Sequence, residues 1–180
     1  MLEQKILNGL KEKIFNVSNL ISKFGPNNLY THLKTGKAHL DDLIYGVSLL
    51  PYELVYVNLS SNILNFDPDL SLRDDVKNRF ISDPVTSCIA YPLLEEILFR
   101  VVPFYVGKSL GGERGGKIGI SISAVLFAMG HIPNYKDSGP EAFTVHLGAS
   151  LFYILAYLKG GLLSSFALHS SNNSLAYFIS

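Results

Sequence analysis

The sequence is poor in charge, has a single cysteine and lacks tryptophan. Charged residues make up 17% of its 180 positions, against about 25% in an average soluble domain. Fifteen basic residues balance fifteen acidic ones, so nothing indicates nucleic acid or an acidic partner. The one cysteine, Cys88, excludes an internal disulfide bond and a cysteine-based zinc site. Long alternating β-branched runs and internal repeats are also missing, which favours a helical fold.

The chain contains long apolar segments instead. Hydrophobic residues make up 48% of the sequence, and the mean hydropathy is +0.25. The apolar residues form five segments, at residues 43–64, 84–106, 118–129, 143–158 and 162–179. Several are shorter than the ~20 residues of a perpendicular membrane span. We predict an all-α fold, a multi-helix transmembrane bundle with about four to five apolar helices in a lipid bilayer. The glycine-rich residues 107–117 are predicted to break the helix there.

The N-terminal region differs from the rest of the chain. Apolar residues recur in steps of three and four from Leu2 to Phe24, which predicts an amphipathic N-terminal helix that ends at residues 25–28. No continuous apolar core marks a secretory signal. We predict an amphipathic N-terminal region at residues 1–42 and a helical membrane domain at residues 43–180.

Basic residues in the connections give an orientation. If all five apolar segments cross the bilayer, the connections on the N-terminal side hold ten Lys and Arg residues, and those on the other side hold four. The positive-inside rule then predicts a multi-pass integral membrane protein whose N-terminus lies in the cytoplasm.

Three ionisable residues lie inside the second apolar segment, namely Glu95, Glu96 and Arg100. Each charge in a bilayer costs roughly 2.5–3.5 kcal/mol on insertion scales, so such residues are expected to be paired, to face a wet cavity or to be functional. Residues four apart share a helix face, so Glu96 can pair with Arg100. Glu95 points about 100° away from Glu96 and therefore towards something else. The structural alternative is a salt-bridged face on a soluble helix.

Two histidines and an asparagine follow in later apolar segments. His131 stands four residues after Phe127, and His169 stands four residues before Asn173. Taken alone, His131 is more typical of a structural histidine, and the second pair is equally compatible with hydrogen bonds between helices. His146 has no such companion and is interpreted as structural.

In order along the chain, these residues resemble a known signature. Its three parts are Glu95-Glu96-x-x-x-Arg100, Phe127-x-x-x-His131 and His169-x-x-x-Asn173. The pattern looks like that of the CAAX-processing and bacteriocin-processing proteins, the Abi or CPBP glutamic intramembrane endopeptidases, and covers residues 84–180. The resemblance implies a helical membrane protease, a hydrolase without a cofactor, that acts on a membrane-associated protein or peptide.

The resemblance also implies a role for each residue. Glu95 is the general base that activates water, and His131 helps it. His169 and Asn173 stabilise the oxyanion, and the ion pair next to Glu95 orients and braces that carboxylate. An imidazole and an amide one helical turn apart can both donate to one developing oxyanion.

Rival interpretations remain open at the level of the sequence. Two histidines and one glutamate are also a catalytic zinc ligand set, although no HExxH motif is present and the histidines lie on different segments. A non-catalytic membrane scaffold or bacteriocin-immunity protein of the same family is the alternative function, and a soluble helical protein is a third. His131 ends its segment whereas Glu95 lies deep in its own, so we expect kinks at Pro92 and Pro103 to bring them together.

Overall fold

The computed structural model of the chain describes residues 36–179, and the amphipathic helix predicted for residues 1–24 lies outside this range. Within it the chain is helical apart from short connections and an isolated antiparallel β-bridge between Leu72 and Tyr135. The predicted all-α bundle is confirmed.

The first apolar segment lies on two helices that are joined almost end to end, α1 (Gly36–Ser48) and α2 (Leu50–Leu64). Helix α2 ends at Asn65, whose backbone adopts the left-handed conformation with φ of 50°. The polar connection that follows contains two short helices, α3 (Pro68–Ser71) and α4 (Asp74–Ser82). The division predicted between residues 42 and 43 falls inside α1 and stays a prediction.

The second apolar segment begins at a capped helix end. The Asp83 carboxylate accepts a hydrogen bond of 3.1 Å from the backbone N–H of Thr86, and Pro84 fills the first helical position, where no N–H is needed. Hydrogen bonds from the side chain and the backbone of Thr86 hold the pKa of Asp83 below its usual value. The helix continues through a π-helical turn, α5 and a second π-helical turn, which span Thr86–Ala90, Tyr91–Glu96 and Ile97–Val101.

Helix α6 (Val102–His131) reverses direction within its length. Gly111 and Gly112 have non-helical backbone angles, and the φ of 62° at Gly112 lies in the left-handed region that favours glycine. The chain folds back there, so α6 consists of two antiparallel arms, α6a (residues 102–110) and α6b (residues 113–131). The helix break predicted for residues 107–117 is therefore confined to two residues, and its other glycines are helical.

Helix α7 (Gly139–Ile179) reverses in the same way, after a short 3₁₀ turn at Ile132–Asn134. Gly161 has a φ of 69°, and with Gly160 it separates α7a (residues 139–159) from α7b (residues 162–179). The apolar segments thus form antiparallel legs of one bundle.

Within residues 36–179, three helical stretches are long and apolar enough to cross a membrane, at Leu40–Leu64, Thr86–Asn134 and Gly139–Phe178. Large apolar side chains cover the outside of each of them, among them Ile44, Val55, Leu98, Ile122 and Leu155. The chain is an integral membrane protein, because such an apolar exterior is suited to lipid. Which end of the bundle faces the cytoplasm stays a prediction.

Candidate active site

The α6 hairpin sets which residues of its two arms face each other. Gly107 and Gly115 pack backbone against backbone, since a Cβ atom at Gly115 would lie 2.2 Å from the carbonyl oxygen of Gly107. One helical turn away, a Cβ atom at Gly119 would lie 2.2 Å from the carbonyl oxygen of Pro103. Only glycine permits this approach, so the glycines fix the register of the hairpin.

The same register continues towards Glu95. Ser123, one turn beyond Gly119, donates a hydrogen bond to the Phe99 carbonyl, and the rings of Phe99 and Phe127 pack edge to face at 5.5 Å. One helical turn further along both arms, Glu95 faces Phe127 and His131 of α6b. The turn at Gly111 and Gly112 therefore brings His131, at the end of its helix, to the depth of Glu95.

The helix that carries the two glutamates has a π-helical turn before each of two prolines. Pro92 and Pro103 lack an N–H for the carbonyl four residues earlier, and each follows a π-helical turn. The Cys88 carbonyl accepts a hydrogen bond of 2.6 Å from the Ser170 hydroxyl instead. The Phe99 carbonyl accepts from Ser123 and from the Arg100 guanidinium. Each proline thus leaves a backbone acceptor that a neighbouring helix can reach, and the kinks expected at Pro92 and Pro103 stay a prediction.

Glu96 and Arg100 form the buried ion pair that helical spacing predicts. Arg100 Nε lies 3.5 Å from Glu96 Oε2, and both side chains are 0% exposed. Arg100 also donates to the Ser150 hydroxyl at 2.9 Å, and its guanidinium carbon lies 5.0 Å from the centre of the Phe127 ring. Charge neutralisation and hydrogen bonding together make the burial of these two groups possible.

His169 joins the two carboxylates. Its Nδ1 atom lies 2.9 Å from Glu96 Oε1, and its Nε2 atom lies 3.5 Å from Glu95 Oε2. Since Arg100 pairs with Glu96, that carboxylate is an acceptor, and Nδ1 of His169 is the donor. The Nε2 atom is thereby directed at Glu95.

His131 approaches the same oxygen of Glu95 from α6b. Its Nδ1 atom lies 2.8 Å from the carbonyl oxygen of Phe127, to which it donates. Its Nε2 atom is then the free nitrogen, and it lies 4.0 Å from Glu95 Oε2. Two imidazole Nε2 atoms therefore converge on one carboxylate oxygen.

Glu95 differs from its neighbour in exposure. The Glu95 side chain is 30% exposed and that of His131 is 20% exposed, whereas the side chains of Glu96 and His169 are 0% and 4% exposed. The division of the two glutamates into one paired and one outward-facing carboxylate agrees with helical geometry. Glu95 is the carboxylate that water or a ligand can reach.

Asn173 is close to this group but does not contact Glu95. Its amide donates a hydrogen bond of 3.0 Å to the carbonyl oxygen of Ser87, next to the first π-helical turn. An amide nitrogen has two hydrogens, so one remains for another acceptor. The structure thus brings five of the six predicted residues together, namely Glu95, Glu96, Arg100, His131 and His169, and Asn173 lies one helical turn beyond His169 on α7b.

Three further residues of this centre were not identified from the sequence. The ring of His146 stacks on that of His131 at 4.3 Å, and its Nε2 atom lies 2.9 Å from the Tyr135 hydroxyl oxygen. The Tyr153 ring stacks on His169 at 4.4 Å. Glu53 is fully buried behind Tyr153. Their contacts with the site join different helices, so only the packing of the helices shows their position.

Among residues 36–179, no three His, Cys, Asp or Glu side chains are arranged so that they could hold a metal ion. The expectation that the protein needs no cofactor stays a prediction, since it concerns chemistry rather than geometry.

The site coincides with a match to a known protein family. Residues 78–175 match the family described as type II CAAX prenyl endopeptidase Rce1-like. The matched region is more than half of the 180 residues and contains all six predicted site residues. Comparison with curated proteins and with solved structures finds no match.

Proposed function

This chain belongs to the Rce1-like family of type II CAAX prenyl endopeptidases, and on that premise we propose that it is an intramembrane endopeptidase in which Glu95 activates water. The observation that carries the proposal is the convergence of the Nε2 atoms of His131 and His169 on Glu95 Oε2, at 4.0 and 3.5 Å. A water molecule held among these three atoms lies within reach of one general base and two imidazoles.

In the first step, Glu95 accepts a proton from this water, and the water oxygen attacks the carbonyl carbon of the scissile peptide bond. His131 receives or returns a proton through Nε2, since its Nδ1–H is held by the Phe127 carbonyl. Collapse of the tetrahedral intermediate breaks the C–N bond, and the proton is delivered to the leaving nitrogen. The products are a carboxylic acid and an amine, so no external oxidant or reductant is required.

The oxyanion of the intermediate is assigned to His169 and Asn173. His169 donates from Nε2 once this nitrogen is protonated, and the Glu96 carboxylate at 2.9 Å from Nδ1 stabilises the resulting imidazolium. The second N–H of the Asn173 amide supplies the other donor. Loss of one such donor costs roughly 2.7–4 kcal/mol of transition-state stabilisation in known enzymes.

The Glu96–Arg100 pair acts on the reaction by holding His169 and the helix that carries Glu95. Neither side chain is exposed, so neither meets substrate. A buried pair that also bonds to Ser150 fixes the second and fourth apolar legs relative to each other.

The substrate that we propose is a membrane-associated protein or peptide, with a prenylated C-terminal CAAX peptide as the first candidate. The apolar exterior of the bundle supports this choice, because a lipid-anchored chain shares the bilayer with the protein. No metal takes part in the proposed reaction, because the base, the proton carrier and the oxyanion donors are all side chains of this chain.

The test uses purified protein reconstituted in proteoliposomes. Prenylated and unprenylated CAAX peptides are incubated with the wild type, and mass spectrometry identifies the new carboxyl and amine ends. We expect cleavage that persists with EDTA and 1,10-phenanthroline and is absent from Glu95→Gln purified in parallel. Loss of cleavage with a chelator and its recovery with zinc would refute the metal-free mechanism. No cleavage of any peptide by folded wild type would favour the non-catalytic scaffold.

A further inference from the structure

Glu53 places a third carboxylate at the rear of the site. It lies on α2, outside the region matched to the family, and is 0% exposed. In the sequence it only interrupts an apolar segment. A carboxyl group buried in a membrane helix is costly unless other groups engage it.

Tyr153 is the residue that engages Glu53. The Glu53 carboxylate interacts with the Tyr153 hydroxyl, although neither carboxylate oxygen has a donor in full hydrogen-bond geometry. The same hydroxyl accepts a hydrogen bond of 3.2 Å from the Asn172 amide. A tyrosine hydroxyl has one hydrogen, which it can donate to the Glu53 carboxylate while it accepts from Asn172. Leu50, on the same turn of α2 as Glu53, packs against the buried cluster that contains Tyr153, so the two helices meet at this level.

Tyr153 in turn fixes the plane of His169. The two rings are nearly parallel, at 15°, with their centres 4.4 Å apart. The ring of Tyr153 is 2% exposed, and the Arg100 guanidinium carbon lies 5.8 Å from its centre. A rotation of Tyr153 would move His169 relative to both Glu95 and Glu96.

We propose that Glu53 is a positioning residue of the active site, which holds the Tyr153 hydroxyl so that the Tyr153 ring keeps His169 directed at Glu95. The effect on turnover rests on the proposed function, whereas the effect on the His169 ring does not. The first apolar leg is then part of the working site as well as of the scaffold.

The kinetic test compares two substitutions at one position. Glu53→Gln keeps an oxygen that accepts from Tyr153, whereas Glu53→Leu has a similar volume and no acceptor. We expect Glu53→Leu to lower kcat roughly tenfold with KM unchanged, in line with other residues that orient a site residue, and Glu53→Gln to retain at least about half of the wild-type rate on the same argument. The double variant with Tyr153→Phe should be no slower than the slower single variant, because both break the same contact.

Tyr56→Phe is the matched control. Tyr56 lies one turn from Glu53 on α2, and its hydroxyl donates to the Thr144 carbonyl of α7a at 2.9 Å. It links the same two legs without touching Tyr153, so its loss should leave kcat unchanged. Wild-type turnover in Glu53→Leu, or equal losses in Glu53→Gln and Glu53→Leu, would overturn the proposal.

Nitrogen-15 NMR of the histidine side chains in detergent micelles gives a readout that needs no activity. We expect the His169 resonances to shift in Glu53→Leu and Tyr153→Phe and to stay close to wild type in Glu53→Gln and Tyr56→Phe. If the wild type cleaves no peptide, the proposed function fails, and the NMR spectrum alone tests whether Glu53 positions His169. If Glu53→Leu does not fold, Tyr153→Phe replaces it. An unmoved His169 resonance in the variant used refutes the positioning role.

Discussion

His131 Nε2 lies 4.0 Å from Glu95 Oε2, although His131 ends its helix and Glu95 lies inside another. Glu95 is 16 residues before Gly111, and His131 is 19 residues after Gly112. At a rise of 1.5 Å per residue these paths are about 24 and about 28 Å long. The turn between them therefore brings the two side chains to similar depth.

Enlarging Gly115 should separate the two arms. A Cβ atom there would meet the Gly107 carbonyl oxygen at 2.2 Å, so Gly115→Ala is expected to destabilise the protein by about 1–3 kcal/mol, as overpacking does, and to lower activity by displacing His131. Thermal unfolding in detergent and peptide cleavage measure the two effects. Gly130→Ala is the control, since nothing lies within 4 Å of a Cβ atom at that residue of the same arm. Equal melting temperatures for both variants would contradict the assigned packing.

Arg100→Met should be far more harmful than loss of an exposed arginine. It leaves Glu96 buried without its counter-charge, which costs about 3–5 kcal/mol in comparable pairs. Arg79→Met breaks the exposed pair with Asp75 and is expected to cost under about 1 kcal/mol. Denaturant unfolding of both variants measures the difference. Similar losses would show that the Arg100–Glu96 pair is not the strong contact described.

Ser123 and Pro103 should be energetically coupled. The Ser123 hydroxyl donates to the Phe99 carbonyl, which Pro103 leaves without a helical donor. Ser123→Ala is expected to cost about 0.5–1.5 kcal/mol, and less in a Pro103→Ala background, where the backbone N–H of residue 103 can serve Phe99. A double-mutant cycle of unfolding free energies checks this. Ser121→Ala is the control, because its hydroxyl donates to Lys117 of its own helix, whereas the Ser123 hydroxyl reaches Phe99 as well as Ile120 of its own helix. Additive losses of unfolding free energy would show that the backbone N–H of residue 103 does not replace the Ser123 hydroxyl as the donor to Phe99.

Asp83 should stabilise the protein in a pH-dependent way. Its pKa is below the usual 3.8 because it accepts hydrogen bonds from Thr86 in the folded state. A carboxylate with a lowered folded pKa stabilises above its unfolded pKa and loses that contribution as the pH falls through the folded pKa. The melting temperature of Asp83→Ala should therefore lie below that of wild type at pH 7, and the gap should narrow below pH ~3.8. Asp137→Ala is the control. A difference in melting temperature between wild type and Asp83→Ala that does not change with pH would refute the role of Asp83 as a helix cap.

The local geometry of the site could be predicted from the sequence. Helical spacing alone paired Glu96 with Arg100 and directed Glu95 elsewhere, and the structure has this arrangement. The spacing of His169 and Asn173 likewise placed both on one face. These relationships depend on neighbours within one helical turn, whose positions the backbone fixes.

Contacts between legs could not be predicted in the same way. The meeting of His131 with Glu95 depends on which two of the clustered glycines adopt the turn, and composition does not distinguish Gly111 and Gly112 from the others. Glu53 and Tyr153 are 100 residues apart in sequence, and no local pattern connects them. His146, which was interpreted as structural, stacks on His131 through a contact between α6b and α7a that no local spacing indicates.

The most direct test of the account is the turnover number of Glu95→Gln, measured on a peptide that the wild type cleaves. Glu113→Gln is the matched control, because it makes the same chemical change at a mostly exposed carboxylate by the glycine turn. If Glu95 is the base, Glu95→Gln should lose roughly 10²–10⁴-fold in kcat, the usual contribution of general base catalysis, while Glu113→Gln retains wild-type activity. Equal kcat values for wild type and folded Glu95→Gln would contradict the assignment of Glu95 as the group that activates water.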